Sequence, residues 1–149
     1  MTQITITENV SVVTFKNQSD SNGNEFLAEI FRKIADAGIS VDMICHAPAT
    51  SETVSFGFTF ADEALTTILP IINAVSKGRT MPMVNCGNVK FIIKAAEMEN
   101  SVGFAAKAFA ALSSADCSPV LVSTGVDEIS ILVSPSDSAE LEKQLKKVF

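Results

Sequence analysis

The sequence of this chain contains an internal repeat. Phe104-Ala105-Ala106-Lys107-Ala108-Phe109 stands 78 residues beyond Phe26-Leu27-Ala28-Glu29-Ile30-Phe31, and at that offset Leu112 matches Ile34, Ser118 matches Ser40 and Val122 matches Ile44. After a shorter turn the offset falls to 75, which pairs Ile129-Ser130-Ile131 with Val54-Ser55-Phe56 and Asp137 with Asp62. Upstream, Asn88-Val89 follows Asn9-Val10 by 79. Four matched elements in the same order mark a duplicated structural unit and exclude any fold that cannot be built twice in 149 residues.

Each copy has its own periodicity. In the first, Leu27, Ile30, Phe31 and Ile34 recur at helical spacing, Glu29, Arg32, Lys33 and Asp36 fill the opposite face, and Gly38 sits where a helix stop needs positive φ. Polar residues Asn17 to Asn24 precede this helix, and a strand is predicted from Ile39 to Cys45. Pro48 and small polar residues in 47–52 predict a turn. From Thr53 to Phe60, Val54, Phe56, Phe58 and Phe60 share one face of a strand. Asp62 reads as the N-cap of a helix that turns Leu65, Ile68, Leu69 and Ile72 inward, with Pro70 expected to kink or restart it before Lys77-Gly78-Arg79 ends it. Thr2 to Thr7 and Val10 to Lys16 read as two strands separated at Glu8-Asn9, and Met81 to Cys86 as a further one.

Strand, helix, strand, strand, helix, taken twice with two strands to spare, predicts an α+β chain of two interlocked ferredoxin-like βαββαβ units. In each, the helices lie on one face of an antiparallel sheet. The expected bounds are 8–86 for the first unit and 87–149 for the second, the latter completed by the strand 2–7.

Charge narrows the function. Eleven basic against seventeen acidic residues give a formal net charge of −6. Such a surface repels phosphate backbones and anionic bilayers, so neither nucleic acid nor membrane is an expected partner. The Phe56, Phe58, Phe60 row, which on a basic sheet would suggest RNA stacking, therefore reads as core. Cys45, Cys86 and Cys117 are odd in number and lack metal-ligand spacing, which predicts reduced thiols, no metal centre and a cytoplasmic protein. The N-terminus lacks a basic start followed by an apolar run, so no signal peptide is expected, and no apolar run reaches the ~20 residues of a membrane span. Cys45 and His46 are adjacent, but neighbouring side chains on a strand face opposite ways, so no thiol–imidazole dyad is expected.

Phe26 to Phe31 followed by Ile39-Ser40-Val41-Asp42-Met43-Ile44 resembles the first ACT domain of aspartate kinases, the lysine-sensitive type above all. Gly103 to Phe109 with Glu128-Ile129-Ser130-Ile131 resembles their second ACT domain, and the likeness runs from about Ile4 to Phe149. It implies a regulatory module that binds a small amino acid, lysine- or threonine-like, at a subunit interface. It also implies a homodimer paired through its sheets, possession of no cofactor, and a separate catalytic subunit as a possible partner. The glycine-rich phosphate loop and metal clamp of phosphoryl transfer are missing from the sequence, so no catalytic residues are expected.

By the same resemblance, backbone groups around Asn24, Glu25, Phe26 and Leu27 hold the ligand carboxylate, Asp42 takes its ammonium, Val41 is a further ligand-binding residue, and Ser51 and Glu52 match a Ser-Glu pair at the opening of the next strand. The physics agrees with the first assignment, since the opening amides of a helix lack internal partners and carry its positive end. Glu25 stands where the family has glycine, and Cys45-His46-Ala47-Pro48 replaces its usual polar residues. The competing reading is a ligand-free structural or dimerisation subunit of a larger enzyme assembly. In the second copy the corresponding loop, Glu97-Met98-Glu99-Asn100-Ser101, carries two carboxylates and is expected to be structural.

Overall fold

The computed structural model describes residues 1–18, 23–48 and 53–149. In chain order the elements are β1 (Gln3–Gln18), α1 (Gly23–Asp36), β2 (Ile44–His46), β3 (Thr53–Ala61), a 3₁₀ turn (Asp62–Ala64) and α2 (Leu65–Ser76). There follow β4 (Met83–Lys94), a second 3₁₀ turn (Ala96–Asn100), α3 (Phe104–Ser114), β5 (Leu121–Thr124), β6 (Glu128–Val133) and α4 (Pro135–Val148). The fold is α+β. Two compact units are formed, one from Val10–Cys86 and the other from Met1–Asn9 with Gly87–Phe149.

In the unit Val10–Cys86, β3 pairs antiparallel with β1 from Val10↔Ala61 to Gln18↔Thr53, and with β2 from Ile44↔Phe58 to His46↔Phe56. The face bearing Val13 and Phe15 of β1 and Phe56, Phe58 and Phe60 of β3 packs against Phe26, Ile30 and Ile34 of α1 and Ile68, Ile72 and Val75 of α2. Helix spacing on one side and strand alternation on the other thus meet in one aromatic-rich core. Phe15 stacks on Phe56 at 4.9 Å between ring centroids, and Phe58 meets Phe31 edge-on at 5.1 Å.

In the other unit, β4 and β5 flank β6, with Phe91↔Ile131 and Val122↔Ile131 in register, and β1 lies next to β4 in the strand order. Phe91, Ile93, Ile129 and Ile131 pack against Ala108 and Leu112 of α3 and Leu141 and Leu145 of α4. Ile4 packs on this core, and the Met1 ammonium pairs with Glu97 at 3.2 Å.

Several local expectations are corrected. Thr2–Thr7 and Val10–Lys16 are one strand: Asn9 takes a left-handed turn at φ 58, which asparagine tolerates, and β1 runs on. Likewise Met81–Cys86 is not a separate strand, since β4 continues through Gly87, at φ 71, to Lys94. The second strand starts late, at Ile44, with Asp42 held to Thr59 of β3 by one hydrogen bond and Met43 by two. Asp62 does not cap α2. Its carboxylate accepts a 2.6 Å hydrogen bond from the Ser11 hydroxyl instead. Pro70 neither ends nor restarts α2, which continues to Ser76 because Ile68, Ile72 and Val75 anchor its inner face while Pro70 stays exposed.

Candidate functional site

The first turn of α1 is pinned by its one buried aromatic residue. Phe26 is 2% exposed, with its ring edge-on to Phe15 at 5.4 Å and to Phe56 at 5.7 Å. Burying that ring fixes the height and heading of the helix start, so the amides of its opening turn are held at the rim of the sheet. Asn24 lies in this turn, and residues 19–22 of the loop before it lie outside the described residues. Glu25 is exposed and in the first turn, where a carboxylate suits the positive end of the helix. Leu27 is partly buried against the same core.

Asp42 belongs to a different part of the unit. Its backbone N–H donates to the Thr59 carbonyl at 2.9 Å, and its side chain is exposed. The next residue locks this corner: Met43 N–H donates to Thr59 Oγ1 at 2.9 Å, and Thr59 N–H to the Met43 carbonyl at 3.0 Å. Val41, just before, is partly buried against the core. Ser51 and Glu52 lie outside the described residues.

Strand register sets the spacing between these groups. Phe26 sits over Phe56, whereas Asp42 is tied to Thr59, three residues further along β3. At 3.3–3.4 Å per residue that is about 10 Å along the strand. What stands beside the Phe26 end is His46, paired with Phe56 across β2–β3, its ring parallel to that of Phe56 at 6.3 Å. The His46 ring Nδ1 is 3.1 Å from the Ala47 carbonyl, where an N–H donates, and Cys45 alternates to the other side of the strand. Among the described residues no group of three or more His, Cys, Asp or Glu side chains is placed to hold a metal ion, and no helix is long and apolar enough to cross a membrane.

Arg79 is the residue the sequence did not single out. It reads there only as the end of α2, yet its guanidinium lies 5.8 Å from the Phe26 ring centroid and its Nη1 3.3 Å from Glu29 Oε2. A cation from the far end of the unit thus clamps the first two turns of α1. Nothing local in the sequence signals this, because Glu29 and Arg79 are fifty residues apart.

Residues 92–149 match the ACT domain family. No curated protein sequence matches the chain. Among solved structures, the ligand-free regulatory subunit of aspartate kinase from Thermus thermophilus aligns over 98% of this chain and 96% of its own, at TM-score 0.87 and 18% identity. A structure of aspartokinase alpha and beta subunits aligns over 98% and 96% at TM-score 0.84 and 24% identity. Aspartokinase III from E. coli in complex with lysine and aspartate aligns over 98% of this chain but 32% of that one, at TM-score 0.66 and 20% identity. The fold is the ACT-domain fold of aspartate kinase regulatory subunits.

Proposed function

We propose that this chain, with the fold of an aspartate kinase regulatory subunit, is a non-catalytic allosteric module that senses a small amino acid. The observation that carries the reading is the fold: a regulatory subunit of aspartate kinase aligns over 98% of this chain at TM-score 0.87, and no metal-holding cluster is found among the described residues. The ligand carboxylate sits at the opening amides of α1, around Asn24, Glu25, Phe26 and Leu27, and the ammonium at Asp42 beside Val41, with Ser51 and Glu52 as further contacts. Each charge-assisted bond is worth about 1.5–3 kcal/mol when shielded from water.

Register adds a condition. The carboxylate and α-ammonium of an amino acid are a few ångströms apart, while Phe26 and Asp42 attach to β3 about 10 Å apart along the strand. The reading therefore seats the ligand between two copies of the chain related by a two-fold axis, with α1 from one and Asp42 from the other, as a homodimer. The lysine in the aspartokinase III complex makes lysine the first candidate and threonine-like ligands the next. The two-subunit aspartokinase points to a separate catalytic chain as the partner that reads the signal.

The test is a thermal-shift screen of the purified chain against the twenty amino acids, with the sedimentation coefficient followed alongside. One amino acid at ~100 times its dissociation constant adds about 2.7 kcal/mol of stability, and Asp42→Ala removes the effect. If none stabilises the chain, the alternative of a ligand-free dimerisation or assembly subunit takes its place.

A further inference from the structure

Both copies of the repeat contain a contact that joins the end of the second helix to the start of the first. Just past α4, the Phe149 ring stacks on Phe104, the opening residue of α3, at 5.9 Å between centroids. Just past α2, the Arg79 guanidinium lies 5.8 Å from the ring of Phe26, which matches Phe104 across the 78-residue offset. The same place in the fold is thus held ring on ring in one unit and by a cation over a ring in the other. The cationic version is the more easily loosened, because the Arg79–Glu29 ion pair beside it is open to solvent and screened by salt.

In the first unit the contact has a second arm. Thr80, the next residue, donates its hydroxyl to the Lys16 carbonyl near the end of β1. Arg79 therefore grips the entry to α1, at Phe26 and Glu29, while Thr80 grips the exit from β1. Both side chains stand on a turn with little freedom of its own. Gly78 takes φ 74, the Arg79 and Thr80 amides both donate to the Ser76 carbonyl, and Val75 and Ser76 are buried at the end of α2. One turn thus fastens the chain on each side of the connection from β1 to α1. Holding both ends lowers the entropy that a binding event there would otherwise have to remove.

We propose that Arg79 and Thr80 are positioning residues, a brace that holds the opening turn of α1 against the end of β1 and so sets how tightly the α1 terminus takes its ligand. They act through α1 and β1, not by touching the ligand. The effect on affinity rests on the amino-acid reading above, whereas the brace itself does not.

The experiment combines ¹⁵N relaxation of the whole chain with calorimetric titration of L-lysine and L-threonine, for the parent, Arg79→Ala, Thr80→Val and the conservative Arg79→Lys and Thr80→Ser. Backbone order parameters are expected to fall at Phe26–Ala28 in Arg79→Ala and at Lys16 and Asn17 in Thr80→Val. Those of α3 and α4 stay as in the parent, and Thr80→Ser and Arg79→Lys restore most of each loss. A role in overall stability alone would lower Tm without this local pattern. The amino acid that binds the parent is expected to bind about threefold more weakly to each of Arg79→Ala and Thr80→Val, and about tenfold more weakly to the double variant, because less of the chain is poised to receive it. Unchanged order parameters in either variant, a fall spread evenly over all helices, or variants that bind as tightly as the parent each overturn the proposal. If neither amino acid binds the parent, the amino-acid reading falls and the relaxation result alone decides the brace.

Discussion

Gly38 and Asp116 occupy the same backbone position in the two copies of the repeat. Both are left-handed, at φ 74 and φ 51, and both follow a helix that ends the same way. Gly38 N–H donates to Ala35 O and Ile39 N–H to Ile34 O. Asp116 N–H donates to Ser113 O and Cys117 N–H to Leu112 O. Each pair of bonds is the Schellman stop, displaced by the 78 residues that relate the helices.

Only one copy has the residue that this conformation favours. A side chain at left-handed φ is disfavoured by roughly 1 kcal/mol relative to glycine, although aspartate tolerates it better than most. Asp116→Gly is expected to raise unfolding free energy by about 0.5–1 kcal/mol, and Gly38→Ala to lower it by about 1 kcal/mol. A Cβ at Gly38 meets nothing within 4 Å, so that loss reports backbone conformation alone. Urea denaturation of the two variants measures both.

Directly after Asp116 comes the buried thiol of Cys117, which donates to Asp137 Oδ2 at 3.7 Å. Burial first, and then the neighbouring Asp137 charge, push its pKa from 9.0 to about 11. The folded state therefore keeps its proton where the unfolded chain loses it. Stability from this group is complete below pH 9 and is lost as pH rises from about 9 to 11, by on the order of 2 kcal/mol. Cys117→Ala is expected to flatten that alkaline slope in urea melts. In the folded parent at pH 8, thiol labelling is expected to reach exposed Cys86 long before Cys117.

What the sequence disclosed follows from which interactions are local. The helix over Phe26 to Asp36, its stop at Gly38 and the Phe56, Phe58, Phe60 row each rest on periodicity within a dozen residues, and the structure has all three. The continuity of β1 was hidden because Glu8-Asn9 has turn-like composition, while the ladder resumes beyond a single left-handed residue. Asp62 has the spacing of a cap, and only the fold reveals Ser11, fifty-one residues earlier, as its hydrogen-bond donor. The Arg79 contacts with Phe26 and Glu29 are hidden for the same reason. As for the α1 site, the sequence shows the helix start and the acidic Asp42, but their separation along β3 depends on register, which no local pattern encodes.

Phe58 is the residue on which the first core is expected to depend most. It is fully buried, lies on the central strand of its three, and its ring is near those of Phe15, Phe31 and Phe60. Phe58→Ala is expected to lower unfolding free energy by about 3–5 kcal/mol, since the surrounding rings cannot close the void. Phe109, 53% exposed on α3, is the matched control, with Phe109→Ala expected within about 0.5 kcal/mol of the parent. Denaturant titration distinguishes the two.

Arg79 and Glu29 separate two contributions that act on one helix. Their ion pair is solvent-open, with side chains 49% and 31% exposed, so its coupling is expected to be about 0.5 kcal/mol and to shrink in 0.5 M salt, where the Debye length falls to about 4 Å. The guanidinium over Phe26 adds about 0.5–1 kcal/mol and is less sensitive to salt because the ring partner is buried. Arg79→Ala is therefore expected to destabilise by about 1 kcal/mol at low salt and to retain more than half of that effect at high salt. Glu29→Ala should lose nearly all of its smaller effect. A double-mutant cycle run in urea at both salt concentrations measures the coupling directly. Equal salt sensitivity in the two single variants would mean that Arg79 holds α1 through Glu29 alone, leaving Phe26 anchored only by the rings of Phe15 and Phe56.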